Sequence, residues 1–454
     1  MTTLLVVGAG PKAVALSAKA AALRNIGFGV PDLVVVEKDA IAANWAGGDY
    51  TDGQRLLGTP PEKDVGFPYQ STAWGAEFDR PVDQEMRRFS WHQYLISISH
   101  APGPYWTWVD RGRPQPKHGE WAQYLRWVAA AAGLTPKIGE VTQIDISKDE
   151  RWRLKYRTRK QSTAQVEGDG LVITGPGIVA ERFDAVGAPN FFTVAKFWRN
   201  LKRFDNLDAA RVCVVGAGET AASVIVALLE RVRESTTIAV VAPRGTILSR
   251  GENFSENRIY SDPSNWIRLS SDHREDFMNR TDRGVFSQQA QDVINAAGNI
   301  FTIPGHVRAV VCKPRSKDLT VIVTYDVDRV NPRRQSYDYE YVVDAGQSEP
   351  LWFKRLVTTA AKARIAPHAD IDSSALMQSQ IAEALEVRDL RPRLHLPMLS
   401  GFAQGPGFPN LSCLGLLADR ILNPYVTRAE RPRGDRTRIE VDLRSAPWRA
   451  GSAP

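Results

Sequence analysis

The chain has 454 residues, of which 43% are hydrophobic and 24% charged, with three cysteines and a net charge of +7. These values are ordinary for a globular protein of two or three domains, so they exclude a disordered chain, a fibrous repeat and a small disulfide-held scaffold. The cysteines are Cys213, Cys312 and Cys413. Because they form no Cys-x-x-Cys pair, the sequence predicts neither a disulfide framework nor a zinc site, and it favours a cytoplasmic location.

Positive charge is concentrated at the end of the chain. Residues 428–454 hold seven arginines against four acidic residues. No motif of interleaved aromatic and basic residues accompanies them, so we expect a flexible tail and no nucleic-acid partner. No apolar run approaches the ~18 residues of a transmembrane helix, and the N-terminus lacks the charged start and cleavage site of a signal peptide. We therefore expect no integral membrane segment.

The first predicted strand, Leu4 to Val7, runs into the sequence Gly8-Ala9-Gly10-Pro11-Lys12-Ala13 and then a helix. In this Gly-x-Gly-x-x-Ala pattern, the first glycine permits a tight turn and the second lets the backbone approach a pyrophosphate. The next predicted strand ends at Glu37, whose carboxylate can accept hydrogen bonds from ribose hydroxyls of FAD or NAD. The alternative is a glycine turn without a ligand. The cofactor contacts predicted for this first site are Gly8, Gly10, Pro11, Glu37, Lys38, Trp45 and Leu411.

The same pattern returns after the strand Val212 to Val215, so the sequence predicts a second dinucleotide site. The strand that follows, Ile238 to Ala242, ends at Pro243-Arg244 without an acidic residue. Arginine pairs with a 2′-phosphate that a carboxylate would repel, so we expect NADPH here. Arg250, six residues further along, is a second candidate for this pairing. For both arginines the alternative is a surface side chain. The predicted contacts are Gly216, Gly218, Glu219, Thr220, Ser223, Arg244 and Arg250.

Two such units predict an α/β fold with two Rossmann-like domains, one for FAD and one for NADPH. Predicted strands at 171–173 and 341–343 look like crossings between the domains, so the NADPH domain is expected as an insertion. The boundaries we expect are 1–190 and 346–427 for a discontinuous FAD domain, 191–345 for the NADPH domain with a substrate-binding segment near 250–290, and 428–454 for the tail. Disulfide reductases share this layout but need a redox cysteine pair, which leaves a flavin monooxygenase.

Further motifs make a specific resemblance. They are Asp52-Gly53, Leu57-Gly58-Thr59-Pro60-Pro61-Glu62-Lys63-Asp64-Val65-Gly66-Phe67-Pro68-Tyr69, Arg250-Gly251-Glu252-Asn253-Phe254-Ser255-Glu256-Asn257, Thr281-Asp282-Arg283-Gly284-Val285-Phe286 and Gln404-Gly405-Pro406-Gly407-Phe408-Pro409-Asn410-Leu411-Ser412. With them the chain resembles, over nearly its whole length, the lysine N6-hydroxylases of mycobactin- and nocobactin-type siderophore synthesis, which belong to the microbial N-hydroxylating flavin monooxygenases.

This resemblance implies a reaction and its partners. NADPH reduces FAD, reduced FAD adds O2 to form a C4a-hydroperoxide, and the deprotonated ε-amine of L-lysine attacks the distal oxygen to give N6-hydroxylysine. No side chain need act as a nucleophile, so no catalytic side chain and no metal is predicted. A homo-oligomer and contacts with siderophore assembly enzymes stay open.

The resemblance also implies the substrate-binding residues. Lys63 matches the lysine that binds the α-carboxylate of the substrate, and Asn257 shares that role. Ser412 and the backbone carbonyl of Asn410 match positions that orient the side-chain amine. The alternatives are a solvated lysine, a turn residue for Asn257 and a helix cap for Ser412.

The chain departs from the ornithine-hydroxylase pattern at Gly58, Asp282 and Gln404, where those enzymes have glutamine, asparagine and histidine. These changes follow the lysine-specific subgroup. The alternatives to lysine hydroxylation are an ornithine N5-hydroxylase, another amine N-oxygenating flavoprotein, an enzyme acting on acylated or precursor-bound lysine, and a flavin-binding protein without oxygenase activity.

Overall fold

The structure of the protein is a computed structural model that describes residues 2–48, 51–98, 103–175, 177, 182–185, 187–312, 318–325, 333–346 and 349–427. The predicted tail, 428–454, lies outside the described residues. Among the helices in these ranges, none has the length and apolar character needed to cross a membrane.

The strands set the architecture and the helices cover it. The strands are β1 Thr3–Val7, β2 Asp32–Glu37, β3 Lys137–Ile146, β4 Trp152–Thr158, β5 Thr163–Gly168, β6 Gly170–Ile173, β7 Phe191–Thr193, β8 Arg211–Val215, β9 Thr237–Ala242, β10 Leu248–Ser249, β11 Val285–Phe286, β12 Ile300–Pro304, β13 His306–Cys312, β14 Leu319–Tyr325, β15 Arg333–Tyr339, β16 Tyr341–Asp344 and β17 Arg393–His395.

The α-helices are α1 Pro11–Ile26, α2 Ala43–Ala46, α3 Asp79–Met86, α4 Trp91–Ser97, α5 Pro104–Asp110, α6 His118–Ala131, α7 Val194–Arg199, α8 Glu219–Leu229, α9 Phe254–Ser261, α10 Ser271–Thr281, α11 Gln288–Asn295, α12 Thr359–Ile365, α13 Ser374–Ser379, α14 Gly401–Gln404 and α15 Leu414–Leu422. Single 3-10 turns lie at Arg87–Phe89, Leu201–Phe204, Pro263–Arg268, Trp352–Arg355, Pro397–Leu399 and Asn423–Tyr425.

Two sheets, the first mixed and the second parallel, form the two halves of the molecule. The first has seven strands in the order β17-β6-β1-β2-β3-β4-β5, and the pairs β3-β4 and β4-β5 are antiparallel. The second has five parallel strands in the order β12-β9-β8-β16-β7. A three-stranded antiparallel sheet, β13-β14-β15, and the short parallel pair β10-β11 accompany the second sheet.

The two halves repeat one arrangement. In the first sheet, β1 lies between β2 and β6, and in the second, β8 lies between β9 and β16, with all four pairs parallel. The strands predicted at 171–173 and 341–343 are therefore β6 and β16, each beside the first strand of its unit. Ligands of such sheets bind where neighbouring strands send their connections to opposite faces, at the carboxyl ends.

Helix α1 links the glycine turn to the rest of the core. Most of its alanines, among them Ala15 and Ala18, are buried, which allows neighbouring elements to approach closely. It ends at Gly27, whose φ of +99° is a left-handed cap. Helix α15 packs against α1 in the same apolar cluster, so the loop that precedes α15 reaches the N-terminus of α1.

Candidate active site

The first glycine turn, between β1 and α1, fits a pyrophosphate. Gly8 has a φ of +93°, and a Cβ there would lie 2.7 Å from Thr174 Oγ1, so a side chain is excluded. Gly10 is the N-cap of α1, and a Cβ there would have no atom of the described residues within 4 Å. The first amides of α1 thus face open space without a side-chain cap, which is the arrangement that binds a phosphate group.

Glu37, at the end of β2, is tied to the same turn. Its Oε2 accepts a hydrogen bond from the Ala9 backbone amide at 2.7 Å, and its Oε1 accepts one from the Asp39 amide at 2.9 Å. The carboxylate is held in place by these two amides and keeps lone pairs for ribose hydroxyls. Lys38 points elsewhere: its side chain is largely exposed and its Nζ lies 3.3 Å from Glu140 Oε1.

The first cleft opens at this turn, has a volume of about 430 Å³ and fits FAD by its glycine turn and its acid-ended strand. Predicted residues in its wall are Gly8, Gly10, Pro11, Glu37, Trp45, Asn410 and Leu411. The wall also holds residues that the sequence analysis did not single out, chiefly Lys12, Thr51, His118 and Met398.

The second glycine turn repeats the geometry of the first. Gly216 has a φ of +129°, and a Cβ there would lie 2.9 Å from the Ala345 carbonyl oxygen. Gly218 is the N-cap of α8, and in the part of the chain that the structure describes no atom lies within 4 Å of a Cβ built on it. Glu219 follows, and its Oε1 accepts a hydrogen bond from the Ser287 amide at 2.6 Å, while burial raises its pKa. This turn fits a second dinucleotide.

The second cleft has a volume of about 450 Å³ and lies between the two halves. Of the residues predicted for the NADPH site, Glu219, Ser223 and Arg250 lie in its wall, whereas the glycines Gly216 and Gly218 of the turn are not among the residues that line it. Thr220 and Arg244 are exposed and lie outside this wall; the Arg244 guanidinium donates to the Asn279 carbonyl oxygen. Of the two candidate arginines, Arg250 is the one that borders the cleft.

Among the described residues, four line both clefts: Trp45, His118, Asn410 and Leu411. We call them the junction. Ligands in the two clefts would meet there. Ion pairs join the halves beside it, because Arg55 Nη1 lies 2.8 Å from Glu230 Oε1, and an Arg231 guanidinium nitrogen lies 3.6 Å from Asp52 Oδ2.

His118, in the junction, is a residue that the sequence analysis missed. It is the first residue of α6, its Nδ1 lies 3.0 Å from Thr51 Oγ1, and its ring packs edge-on against Trp45 with centroids 4.8 Å apart. Burial lowers its pKa to about 4, so the ring is neutral at physiological pH. It can donate or accept one hydrogen bond there but carries no charge.

Lys63 lies half-buried, with Nζ 5.7 Å from the centroid of the Phe67 ring. Burial and the nearby guanidinium of Arg250 lower its pKa, while Glu252 acts in the opposite direction. Two neighbouring cations favour an anionic ligand such as a carboxylate. The half-buried position disfavours the alternative of a freely solvated lysine.

Asp64, another missed residue, holds the loop that follows Lys63. It is fully buried, and its carboxylate accepts hydrogen bonds from the Gly66 amide at 3.0 Å, the Tyr69 hydroxyl at 2.8 Å and the Trp91 amide at 2.9 Å. The loop also packs on the start of α15, because a Cβ on Gly415 would lie 2.2 Å from the Gly66 carbonyl oxygen. Lys63 is thereby fixed near the loop at 405–413.

The remaining predicted substrate residues lie around the same region. Asn257 is inside α9 rather than in a turn, and its Nδ2 donates to the Glu252 carbonyl oxygen at 2.7 Å. The Asn410 side chain accepts a hydrogen bond from the Ser412 amide at 2.8 Å and donates to the Pro406 carbonyl at 3.0 Å. Ser412 is buried, and the residue after it is the N-cap of α15, so the helix-cap alternative is not observed.

The structure shows what two of the three residues that depart from the ornithine-hydroxylase pattern contact or line. Gln404 is structural: its side chain donates to the Ile381 carbonyl oxygen at 2.9 Å and accepts from Arg420 at 3.1 Å. Gly58 lines the second cleft.

Comparison with known proteins decides the family. Residues 86–349 match the family described as L-lysine 6-monooxygenase/L-ornithine 5-monooxygenase. The L-lysine N6-monooxygenase MbtG of Mycolicibacterium paratuberculosis is 42% identical over 424 residues, which cover 93% of this chain and 95% of that protein. The chain belongs to this family.

Other relatives agree with the assignment. MbtG of Mycobacterium tuberculosis H37Rv is 42% identical over 92% of this chain and 94% of its own length. The solved structure of the lysine monooxygenase NbtG from Nocardia farcinica, described as having an unprecedented NADPH domain conformation, matches with a TM-score of 0.80 and 37% identity, covering 93% of this chain and 100% of that one. The predicted family, the monooxygenase class and the α/β fold with two dinucleotide-binding units are confirmed.

Proposed function

We propose that the protein is a lysine N6-monooxygenase that uses FAD, NADPH and O2 to hydroxylate the side-chain amine of L-lysine, giving N6-hydroxylysine for hydroxamate siderophore synthesis. The observation that carries the proposal is the junction, where a cleft with an acid-ended second strand meets a cleft bordered by Arg250. Helices α1 and α8 begin at the two glycine turns without a side-chain cap, and the first residue of each helix, Pro11 or Glu219, lines one of the clefts. The curated relatives named above, which match along more than nine-tenths of the chain, carry the same activity in their names.

In this proposal the first cleft holds FAD, and Gly8, Gly10 and Glu37 position its pyrophosphate and ribose. The second cleft holds NADPH, and the turn of Gly216 and Gly218, which directly precedes the wall residue Glu219, faces the pyrophosphate. Bound FAD supplies oxygen activation, which no amino-acid side chain can provide, and NADPH supplies the hydride. The protein contributes placement and exclusion of water around the reacting amine.

The substrate is bound at its two ends. Lys63 holds the α-carboxylate with Asn257, and the Asn410 carbonyl and Ser412 orient the ε-amine at the junction. With one end fixed, ornithine would leave its amine ~1.3 Å short, judged from extended chain spacing. A missing methylene in an apolar pocket costs only about 1 to 3 kcal/mol, so fixed reach is the stronger discriminator.

The amine must reach the junction uncharged, because an ammonium has no lone pair with which to attack oxygen. Free lysine has a pKa near ~10.4, so the rate of hydroxylation should rise with pH unless the site lowers that pKa. His118 is neutral and places no positive charge against the incoming amine.

The organisation of the chain follows from the two sheets. We assign 1–190 and 346–427 to the FAD domain and 191–345 to the NADPH domain, because strands β7, β8, β9, β12 and β16 all fall in the second range. Segment 250–290, which contains α9 and α10, contributes Arg250 to the second cleft and Asn257 to the substrate site. We also place the protein in the cytoplasm, where its product can pass to siderophore assembly enzymes.

The test is a comparison of amines with the FAD-loaded protein, NADPH and air. L-lysine, L-ornithine, cadaverine and an Nα-acyl-lysine are supplied in parallel, and hydroxylamine and H2O2 are quantified. Hydroxylamine formed with L-lysine in preference to the others supports the proposal. Hydroxylamine formed mainly with L-ornithine, or only H2O2 with every amine, would contradict it.

A further inference from the structure

Helix α1 carries two buried lysines with opposite surroundings. Lys19 is 1% exposed and its Nζ lies 2.6 Å from Asp419 Oδ1, so its charge is compensated. Lys12 is 7% exposed, and its Nζ donates to the Pro409 carbonyl oxygen at 2.7 Å and contacts Met398 Sδ at 3.1 Å. In the parts of the chain that the structure describes, no carboxylate oxygen lies within ion-pair distance of the Lys12 ammonium.

A buried ammonium with two neutral acceptors is expensive to keep charged. Burial accordingly lowers the pKa of Lys12 to about 8. At neutral pH the side chain is still protonated, so the folded protein holds an uncompensated positive charge. A ligand that carries negative charge into the first cleft would compensate this ammonium, because no carboxylate of the described residues does so.

The position of Lys12 indicates which ligand that is. Its side chain lines the first cleft. Its hydrogen-bond acceptor, Pro409, directly precedes the junction residues Asn410 and Leu411. The ammonium is therefore hydrogen-bonded to the residue next to the junction, where the first cleft adjoins the second. A ring that receives a hydride from a ligand in the second cleft must lie at this end.

We propose that Lys12 supplies a fixed positive charge to the flavin ring and stabilises the negative charge that the ring gains on reduction. The inference rests on the proposed function, in which FAD occupies the first cleft. Hydride transfer moves two electrons and one proton from NADPH, which leaves as NADP⁺, and the ring gains one negative charge. Lys12 forms no covalent bond in this step and keeps its proton, so its contribution is purely electrostatic.

The test measures the midpoint potential of bound FAD in an equilibrium titration against a reference dye, without amine substrate, together with FAD affinity. The variants are Lys12→Met, which removes the charge, Lys12→Gln, which keeps a donor for the Pro409 carbonyl, and Lys12→Arg, which keeps the charge. Arg24→Met is the control, because Arg24 is an exposed cation in the last turn of the same helix.

We expect Lys12→Met and Lys12→Gln to reduce the preference for reduced over oxidised FAD at least tenfold, which for a two-electron couple is a potential lower by about 30 mV. Lys12→Arg and Arg24→Met should stay within threefold of the wild type. If one neutral variant does not fold, the other carries the test.

An unchanged potential in a folded neutral variant would overturn the inference. This includes the case in which FAD affinity falls equally in both oxidation states, since the charge would then serve the pyrophosphate. These results leave the proposed function intact, because FAD is still bound and reduced. If the wild-type protein binds no FAD, the proposed function fails first and the inference falls with it.

Discussion

Replacement of Lys63 by methionine tests the proposed carboxylate site. The Lys63 ammonium is half-buried beside the Phe67 ring and the Arg250 guanidinium. A hydrogen bond to a charged group contributes about 1.5 to 3 kcal/mol, so its loss should raise the KM for L-lysine about 10- to 150-fold. The kcat at saturating lysine should change less than about threefold, since the carboxylate is remote from the reacting amine.

Cadaverine makes this prediction specific, because it has both amines of lysine but no α-carboxylate. Lys63→Met should leave the KM for cadaverine and the KM for NADPH within about twofold of the wild type, while the KM for lysine rises. Lys63→Arg should recover part of the lysine affinity. Lys202→Met serves as a control, because Lys202 is an exposed lysine that lines neither cleft. An equal loss of affinity for lysine and cadaverine would refute the assignment of Lys63 to the carboxylate.

Three further predictions follow from the same structure. Gly218→Ala should keep the fold and the FAD content, because the added Cβ meets no atom of the described residues, but it should raise the KM for NADPH at least tenfold, because that Cβ occupies the space proposed for the pyrophosphate. Gly216→Ala should instead lower the free energy of unfolding in urea by about 1 to 3 kcal/mol. Arg250→Ser should reduce the kcat/KM preference for NADPH over NADH at least tenfold, and a larger effect of Arg244→Ser would contradict the position of Arg250 in the cleft wall. In the apoprotein, the pKa of Lys12 is about 8, against 10.5 for a free lysine, so below pH 8 its charge lowers the free energy of unfolding by about 3 kcal/mol. Lys12→Met should therefore unfold at a higher urea concentration than the wild type at pH 7. This difference should disappear as the pH rises to 10.5, because the wild-type lysine is then neutral in the folded state.

Local geometry explains why both dinucleotide sites could be predicted from the sequence. Gly8 and Gly216 have positive φ, and each lies too close to the residue that follows a neighbouring strand, Thr174 or Ala345, to carry a side chain. Gly10 and Gly218 have no atom of the described residues within 4 Å of a Cβ built on them. These demands are imposed by a few consecutive residues, so they leave a readable pattern. The strands next to each glycine turn were also predicted from short runs of apolar residues, and β1, β2, β8 and β9 lie where they were predicted.

Residues that act through distant contacts could not be predicted. His118 reaches the junction only because the start of α6 is brought beside Trp45. Lys12 stands inside a recognised motif, but its burial and its contact with Pro409, almost 400 residues later, depend on the packing of α15 against α1. Nothing in the spacing of either residue indicates such a neighbour. For the same reason the sequence favoured Arg244, next to its strand, while the folded chain brings Arg250 into the cleft wall.

The most direct test of the central claim follows the oxygen atom. The FAD-loaded protein is supplied with NADPH, L-lysine and oxygen-18 gas in ordinary water, and the amino-acid product is analysed by fragmentation mass spectrometry. We predict N6-hydroxylysine with one oxygen-18 atom on the side-chain nitrogen, in an amount that matches the NADPH consumed less the H2O2 formed. Product oxygen that comes from water, hydroxylation at carbon, or NADPH consumption that yields H2O2 with no hydroxylated lysine would contradict the account.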